Sequence, residues 1–439
     1  MCNRSNGFRA YGALAFILSF AVAGCAINRP VDTVAERCRL PAEAIKVAIV
    51  DDGTQQTIVR INQSGPIGNA LATIARSKAA NEGINSGVTR NLVLSGGGQH
   101  GSFGSGFLKG MQDSGTFVRY DLVTGVSTGA LQATFALLGG ESASADRTLN
   151  VSDDFPATAN TRPRTNLDDL VAGYSITREA TLYNEKGTRG IIRKAAKGNL
   201  EPLSLRLERM ITKDTLAAVK AANSEGRKLF VALLNYESGN TEIVDMTALA
   251  ARFDGSNFDQ IQHCYNRVLI AASSEPIGAP PVVIDRKLYF DAGLRYGVFL
   301  KQFLGDAAAI AKTAARIRGT EPTAAPPLIQ TDIIVNGDLN VDPSSDKFAK
   351  KFSALDIAGR GRKILVNQIY RFSVSEVIKL RGTEHRVRFA SIRVSESNEK
   401  PPAPGATFDP AYMARMISLG KKRGLIGDWQ PLIELSAIE

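Results

Sequence analysis

Residues that bind metals are scarce in this sequence: four cysteines and three histidines in 439 residues, none of them at the spacing of a zinc site. No metal is therefore expected. Three histidines also leave few ways to complete a Ser-His-Asp triad. Long apolar runs are lacking too. The stretch Ala13 to Ala23 is too short to cross a hydrocarbon layer of about 30 Å. Basic residues exceed acidic ones, 53 to 43, for a formal charge of +10. No recognition motif and no basic patch interleaved with aromatics accompanies that charge, so nucleic acid is not an expected partner. A composition 44% hydrophobic and 22% charged is that of a globular chain with a sizeable core. The length allows two or three domains.

Two glycine-framed turns carry the chemical information. The first is Gly96-Gly97-Gly98-Gln99-His100-Gly101, after the strand-like Asn91 to Ser95 and before a helical pattern from Gly104 to Gly115. The second is Gly125-Val126-Ser127-Thr128-Gly129, between the strand-like Asp121 to Thr124 and a helix from Ala130 to Leu138. Gly125 and Gly129 let the chain turn sharply enough to lift the Ser127 hydroxyl to the strand-to-helix apex, a nucleophile elbow. The dipole of the following helix favours negative charge there. Acyl transfer needs a nucleophile and amide donors for the oxyanion, and the two turns offer both. Gly96, Gly98 and Gly101 also satisfy GxGxxG, with Asp121 about 20 residues on, as a dinucleotide site requires. Asp121, however, opens the next strand instead of closing one, and that strand runs into the Ser127 turn. No nucleotide cofactor is expected.

With these blocks in view, the sequence resembles the patatin-like phospholipases, which pair a glycine-rich oxyanion loop with a GxSxG serine and a later aspartate turn. Tyr289-Phe290-Asp291-Ala292-Gly293 resembles that turn, and Leu269 to Pro276 with Pro280-Pro281-Val282 resembles the block before it. The resemblance spans about residues 90 to 300. It implies Ser127 as nucleophile, Asp291 as its base, and an oxyanion hole in the Gly96, Gly97, Gly98, Gly101 loop. It also implies a three-layer α/β/α sandwich with a mostly parallel central sheet, and a membrane lipid substrate. His100 stands where the family carries Arg or Lys, exchanging a cation for a partly titrating group. The turn reads Asp-Ala-Gly instead of Asp-Gly-Gly. From residue chemistry alone Asp291 is an ordinary turn aspartate; only the resemblance selects it. Ser127, Asp291 and His385 follow the α/β-hydrolase order and leave a triad open. His385 shares an alternating pattern with Val387 and Phe389, which favours a Ser-Asp dyad.

The N-terminus carries Arg4, Arg9, the apolar run and Val22-Ala23-Gly24-Cys25, which is similar to a bacterial lipoprotein signal. That similarity implies a signal peptide over 1–24, lipid on Cys25, and an outer-membrane protein facing the periplasm. Cys38 and Cys264 would then meet an oxidising compartment, either paired or as buried thiols. The expected organisation continues with a leader over 25–90, an acyl hydrolase domain over 91–300 and a C-terminal α/β extension over 301–439. Within these, Ile45 to Val50, Arg227 to Asn235, Thr241 to Asp245 and Leu328 to Val335 read as strands. Phe258 to Ser273, Lys363 to Lys379 and Pro410 to Leu419 read as helices, and Glu141 to Arg164 as a polar flap. Basic clusters at Lys347/Lys350/Lys351, Arg360/Arg362/Lys363 and Lys421/Lys422/Arg423 are either a face for anionic headgroups or a solvated surface. The expected activity is lipid acyl ester hydrolysis. A general esterase or thioesterase, and a non-catalytic lipid-binding or envelope-interaction protein on the same scaffold, are the alternatives.

Overall fold

The computed structural model describes residues 37–45, 73, 74, 77, 88–143, 164–186, 196–300, 329–337, 339, 354–381, 385–399, 401–403 and 406–431. The signal-peptide run, Cys25, most of the leader, the centre of the polar flap and the Lys347/Lys350/Lys351 cluster lie outside the described residues.

Among the described residues, nine strands form one sheet and two more a small ribbon. The strands are β1 (Ala42–Ala44), β2 (Thr89–Leu94), β3 (Leu122–Gly125), β4 (Asn184–Glu185), β5 (Gly198–Asn199), β6 (Lys228–Asn235), β7 (Thr241–Asp245), β8 (Val282–Ile284), β9 (Lys287–Asp291), β10 (Ile329–Val335) and β11 (His385–Ser391). The order across the large sheet is β1-β7-β6-β3-β2-β10-β11, and β9 joins it through β6 and carries β8. From β11 to β6 every neighbour is parallel; β7, β1, β9 and β8 add antiparallel pairs. The fold is thus a mostly parallel α/β sandwich.

Successive residues of the central strands feed opposite layers. Leu92 and Leu94 of β2 join one buried cluster and Val93 the other; Leu229, Val231 and Leu233 of β6 alternate in the same way with Phe230 and Ala232. Strands buried on both faces need near-continuous apolar runs, and Leu-Phe-Val-Ala-Leu-Leu in β6 supplies one.

Helices cover both faces: α1 (Gly101–Asp113), α2 (Thr128–Leu138), α3 (Asn166–Tyr174), α4 (Glu201–Met210), α5 (Lys213–Ser224), α6 (Met246–Ala251), α7 (Phe258–Ser273), α8 (Ala354–Ile378), α9 (Val394–Glu399) and α10 (Pro410–Leu425). The glycine-rich α1 has little intrinsic helical preference, and tertiary contact holds it. It packs along α10 so closely that a Cβ on Gly420 would stand 2.1 Å from the Phe103 carbonyl oxygen. Capping boxes at Thr165/Asp168 and Thr212/Thr215 start α3 and α5.

A strand forms at Ala42–Ala44, its register set by antiparallel pairing with Val244, Ile243 and Glu242; of the run expected over Ile45 to Val50, all but Ile45 lies outside the described residues. The helices expected over Lys363 to Lys379 and Pro410 to Leu419 extend to Ala354–Ile378 and Pro410–Leu425. Packing of α10 on α1 carries the second past Gly420, where propensity alone would end it. Cys38 and Cys264 form a disulfide that ties the segment before β1 to α7.

Candidate active site

Ser127 lies between the end of β3 and the first turn of α2, with φ 54° and ψ −125°. A non-glycine residue there carries strain of order 1–3 kcal/mol and persists only where its surroundings over-determine it. The Gly129 amide donates to the Val126 carbonyl and the Ala130 amide to the Ser127 carbonyl, both at 2.8 Å, which fixes the turn. Gly125 closes β3 and Gly129 lies in the first turn of α2, on either side of the serine.

The topology brings Asp291 to the serine. β3 pairs with β6 as far as Gly125 opposite Val231, and β9 approaches antiparallel along the same edge, ending with Asp291 opposite Leu233. Strands β3 and β9 therefore meet nearly end to end, separated by two residues of β6, about 7 Å. The Ser127 hydroxyl stands close enough to the Asp291 carboxylate to favour its charged form, the carboxylate accepts the Gly293 amide at 2.7 Å, and the Asp291 amide donates to the Ser274 carbonyl. Both side chains are nearly enclosed, with Ser127 8% and Asp291 6% exposed. Burial raises the Asp291 carboxyl from 3.8 to about 6, against the lowering effects of the nearby Ser127 hydroxyl and the Gly293 amide. A carboxylate so raised is a stronger base and is still ionised at neutral pH.

Beside this pair runs the glycine loop. Gly97 has φ 147°, and a Cβ there would lie 1.7 Å from the Asn336 carbonyl oxygen, so no other residue fits. The Gly96 amide donates to the Gly297 carbonyl, and the Gly101 amide is taken up in the first helical turn. Among the described residues, the amides of Gly97 and Gly98 have no acceptor. Of the four glycines singled out from sequence, these two retain free donors. Their support comes from beyond the glycine motifs. The Asn336 side chain donates to the Ser95 carbonyl and to Gln132 at 2.7 and 2.9 Å, its backbone amide donates to the Ser95 hydroxyl, and Gln132 donates to the Gly101 carbonyl at 2.6 Å.

The histidines stand apart from the carboxylate. His385 begins β11 opposite Ile329, which is itself opposite Thr89, so it lies at the sheet edge where the parallel strands start. Ser127 lies at the edge where they end. The His385 Nε2 is 2.8 Å from the Thr331 hydroxyl. His263 is on the exposed side of α7. His100, expected to titrate partly, is instead neutral at pH 7, because burial lowers it to about 4 while Nδ1 meets the Tyr412 hydroxyl at 2.7 Å. Asp121 also lies at the starting edge and accepts the Arg90 amide, far from the glycine loop.

Two features carried no local sequence signal. An apolar cavity of about 720 Å³, counting its open mouth, begins at Gly98, Ser127 and Thr128 and continues between Leu131, Phe135, Leu170, Leu203, Leu207 and Met210. Tyr370 of α8 reaches the other side of the serine. A Cβ on Gly96 would touch both its hydroxyl oxygen, at 1.9 Å, and the Ser127 Cβ, at 3.0 Å.

A mostly parallel α/β sandwich that presents a serine on a strained turn where its central strands end has the architecture of the α/β serine hydrolases. Residues 92–304, just under half of the chain, match the family model of the patatin-like phospholipases. The chain carries a patatin-like phospholipase domain over that range. No curated protein matches the sequence. Among solved structures, that of VipD from Legionella pneumophila is similar at 13% identity, covering 78% of this chain and 67% of that one with a TM-score of 0.28. A likeness of that degree carries no argument.

Proposed function

We propose that this protein is a serine lipid acyl hydrolase in which Ser127 and Asp291 act as a dyad through an acyl-enzyme. The observation that carries the reading is the Ser127 hydroxyl set beside the buried Asp291 carboxylate, at the mouth of an apolar cavity. Asp291 takes the hydroxyl proton as Oγ attacks the ester carbonyl. The free amides of Gly97 and Gly98 receive the developing oxyanion, and the acyl chain lies in the cavity. Collapse breaks the ester C–O bond, and the proton passes from Asp291 to the departing alcohol. Water, deprotonated by Asp291, then releases the fatty acid from Ser127.

A lipid surface is the proposed source of substrate. On α8, Ile357, Leu365 and Phe372 share one side of the helix and are each more than 60% exposed. An exposed apolar face of this kind suits a headgroup boundary. Several basic residues singled out from sequence have structural partners: Arg423 is buried against Asp428 and Glu396, Lys421 pairs with Asp113, and Arg362 with Glu275.

The test is release of fatty acid from phospholipid vesicles and from a p-nitrophenyl ester between pH 4 and 8. The dyad needs Asp291 ionised, so kcat/KM is expected to be flat above pH 7 and to fall tenfold per unit well below pH 6. A rate that rises towards pH 4, or no release from either substrate, contradicts the reading.

The proposal extends to attachment through Cys25 in the outer membrane, facing the periplasm. The Cys38–Cys264 disulfide supports an oxidising compartment. Labelled palmitate is expected in the parent and not in Cys25→Ser; equal labelling of the two would remove Cys25 as the anchor.

A further inference from the structure

Outside the dyad and its loop, one polar group faces the same serine. The inner face of α8 carries Tyr370, Ser373, Val374 and Val377, and both valines are fully buried in the second apolar cluster. Tyr370 lies one helical turn before Val374, so anchoring that valine aims the tyrosine along the same face. Ser373 adds a fixed link: its hydroxyl accepts the Gly297 amide at 3.1 Å, while the Gly297 carbonyl accepts the Gly96 amide at 3.3 Å. The tyrosine ring crosses Gly297, where a Cβ would meet its Cγ at 2.6 Å. Its hydroxyl ends beside Gly96 and Gly293, the latter held on the Asp291 carboxylate. The phenol is therefore locked to the oxyanion loop and to the aspartate turn together. No hydrogen bond holds the hydroxyl itself among the described residues, although hydroxyl groups in such positions ordinarily find a partner.

The serine separates two environments. No residue of α8 or β9 lines the apolar cavity, which opens past Gly98 and Thr128. Gly96, Asp291, Gly293 and Tyr370 form a polar corner on its other side. A tetrahedral carbon on Ser127 has four substituents. Oγ is one; the oxyanion turns to the Gly97 and Gly98 amides, and the acyl chain enters the cavity. The departing alkoxy oxygen is left with the polar corner.

We propose that Tyr370 is a further catalytic residue, whose hydroxyl donates a hydrogen bond to the alkoxy oxygen of the leaving group as the tetrahedral intermediate collapses. This rests on the hydrolase reading above and adds to it. The bond from carbon to the alkoxy oxygen breaks, its electron pair stays on that oxygen, and the proton taken from Ser127 passes to it from Asp291. Tyr370 keeps its own proton. Burial and the nearby Asp291 charge push the phenol well above its ordinary range, so it acts as a donor and not as a second base. Tyr370 and Asn336 both lie beyond residue 304, where the family match ends. On this account the C-terminal segment completes the site.

The test is Tyr370→Phe, assayed on two esters of one short acid: p-nitrophenyl, whose leaving group needs little help, and an ethyl ester, whose alkoxide needs much. kcat/KM reports the acylation step that contains the leaving group. Loss of one hydrogen bond to a charge-developing oxygen is worth roughly a 10–100-fold fall. That fall is expected for the ethyl ester, with the p-nitrophenyl rate within about threefold of the parent by the same reasoning and the melting temperature unchanged. Equal falls on both esters would make Tyr370 structural, and no fall on either would remove it from the reaction; both results overturn the proposal. A parent enzyme that cleaves neither ester overturns the hydrolase reading itself, a result distinct from both.

Discussion

Ser127→Ala is expected to lower ester hydrolysis by on the order of 10⁴–10⁶-fold, as removal of the nucleophile does in serine hydrolases whose catalytic groups act as a unit. The residual rate would come from the oxyanion amides and the cavity, which the substitution leaves intact. Because backbone hydrogen bonds and not Oγ hold the turn, the melting temperature should stay close to that of the parent. The comparison is made on a p-nitrophenyl ester and on phospholipid with the same preparation. Hydrolysis within tenfold of the parent would assign the chemistry elsewhere.

Asp291→Asn is expected to produce a similar loss, because in a dyad the aspartate is the base itself and not the orienter of an imidazole. It should also stabilise the protein at neutral pH. The folded carboxyl titrates near 6 and the unfolded one near 3.8, so ionising the buried group opposes folding. That penalty is absent below pH 3.8, grows as pH rises, and is complete above about 6, where it amounts to roughly 3 kcal/mol. Asparagine keeps an acceptor for the Gly293 amide without the charge. Melts at pH 8 and pH 4 are the check: the variant should exceed the parent at pH 8, and the difference should nearly vanish at pH 4. An inactive variant that is more stable separates lost chemistry from lost folding. By contrast, His263→Ala and His385→Ala should stay within a few-fold of the parent in activity; a collapse in either would restore a triad.

What the sequence revealed follows the range of the interactions. Ser127 and its flanking glycines were legible because a strand, a turn and a helix within 20 residues define the elbow. The central strands were legible through unbroken apolar runs such as Leu229 to Leu234. Asp291 was not legible in that way: its approach depends on β9 running along the edge of β6 that β3 vacates, a pairing between residues nearly 60 positions apart. Resemblance to a family supplied it. Asn336 and Tyr370 had neither kind of signal, being separated from the glycine loop by more than 200 residues and lying outside the matched domain. The cavity was invisible for the same reason, since its wall combines α2, α3 and α4 with Phe408 and Met413. The change at His100 was legible as a residue but not as a charge state. Its partner Tyr412 is 312 positions away, and burial there converts an expected titrating group into a neutral one.

The account rests on an activated serine at position 127. The most direct measurement is the intact mass and peptide map of the full-length protein after brief exposure to a fluorophosphonate at pH 7.5. The account predicts one adduct per chain, located on the peptide that contains Ser127, formed more slowly at pH 5 as Asp291 protonates, and absent from Ser127→Ala and from Asp291→Asn. A folded parent protein that takes no label, or an adduct that persists in Ser127→Ala, would contradict it.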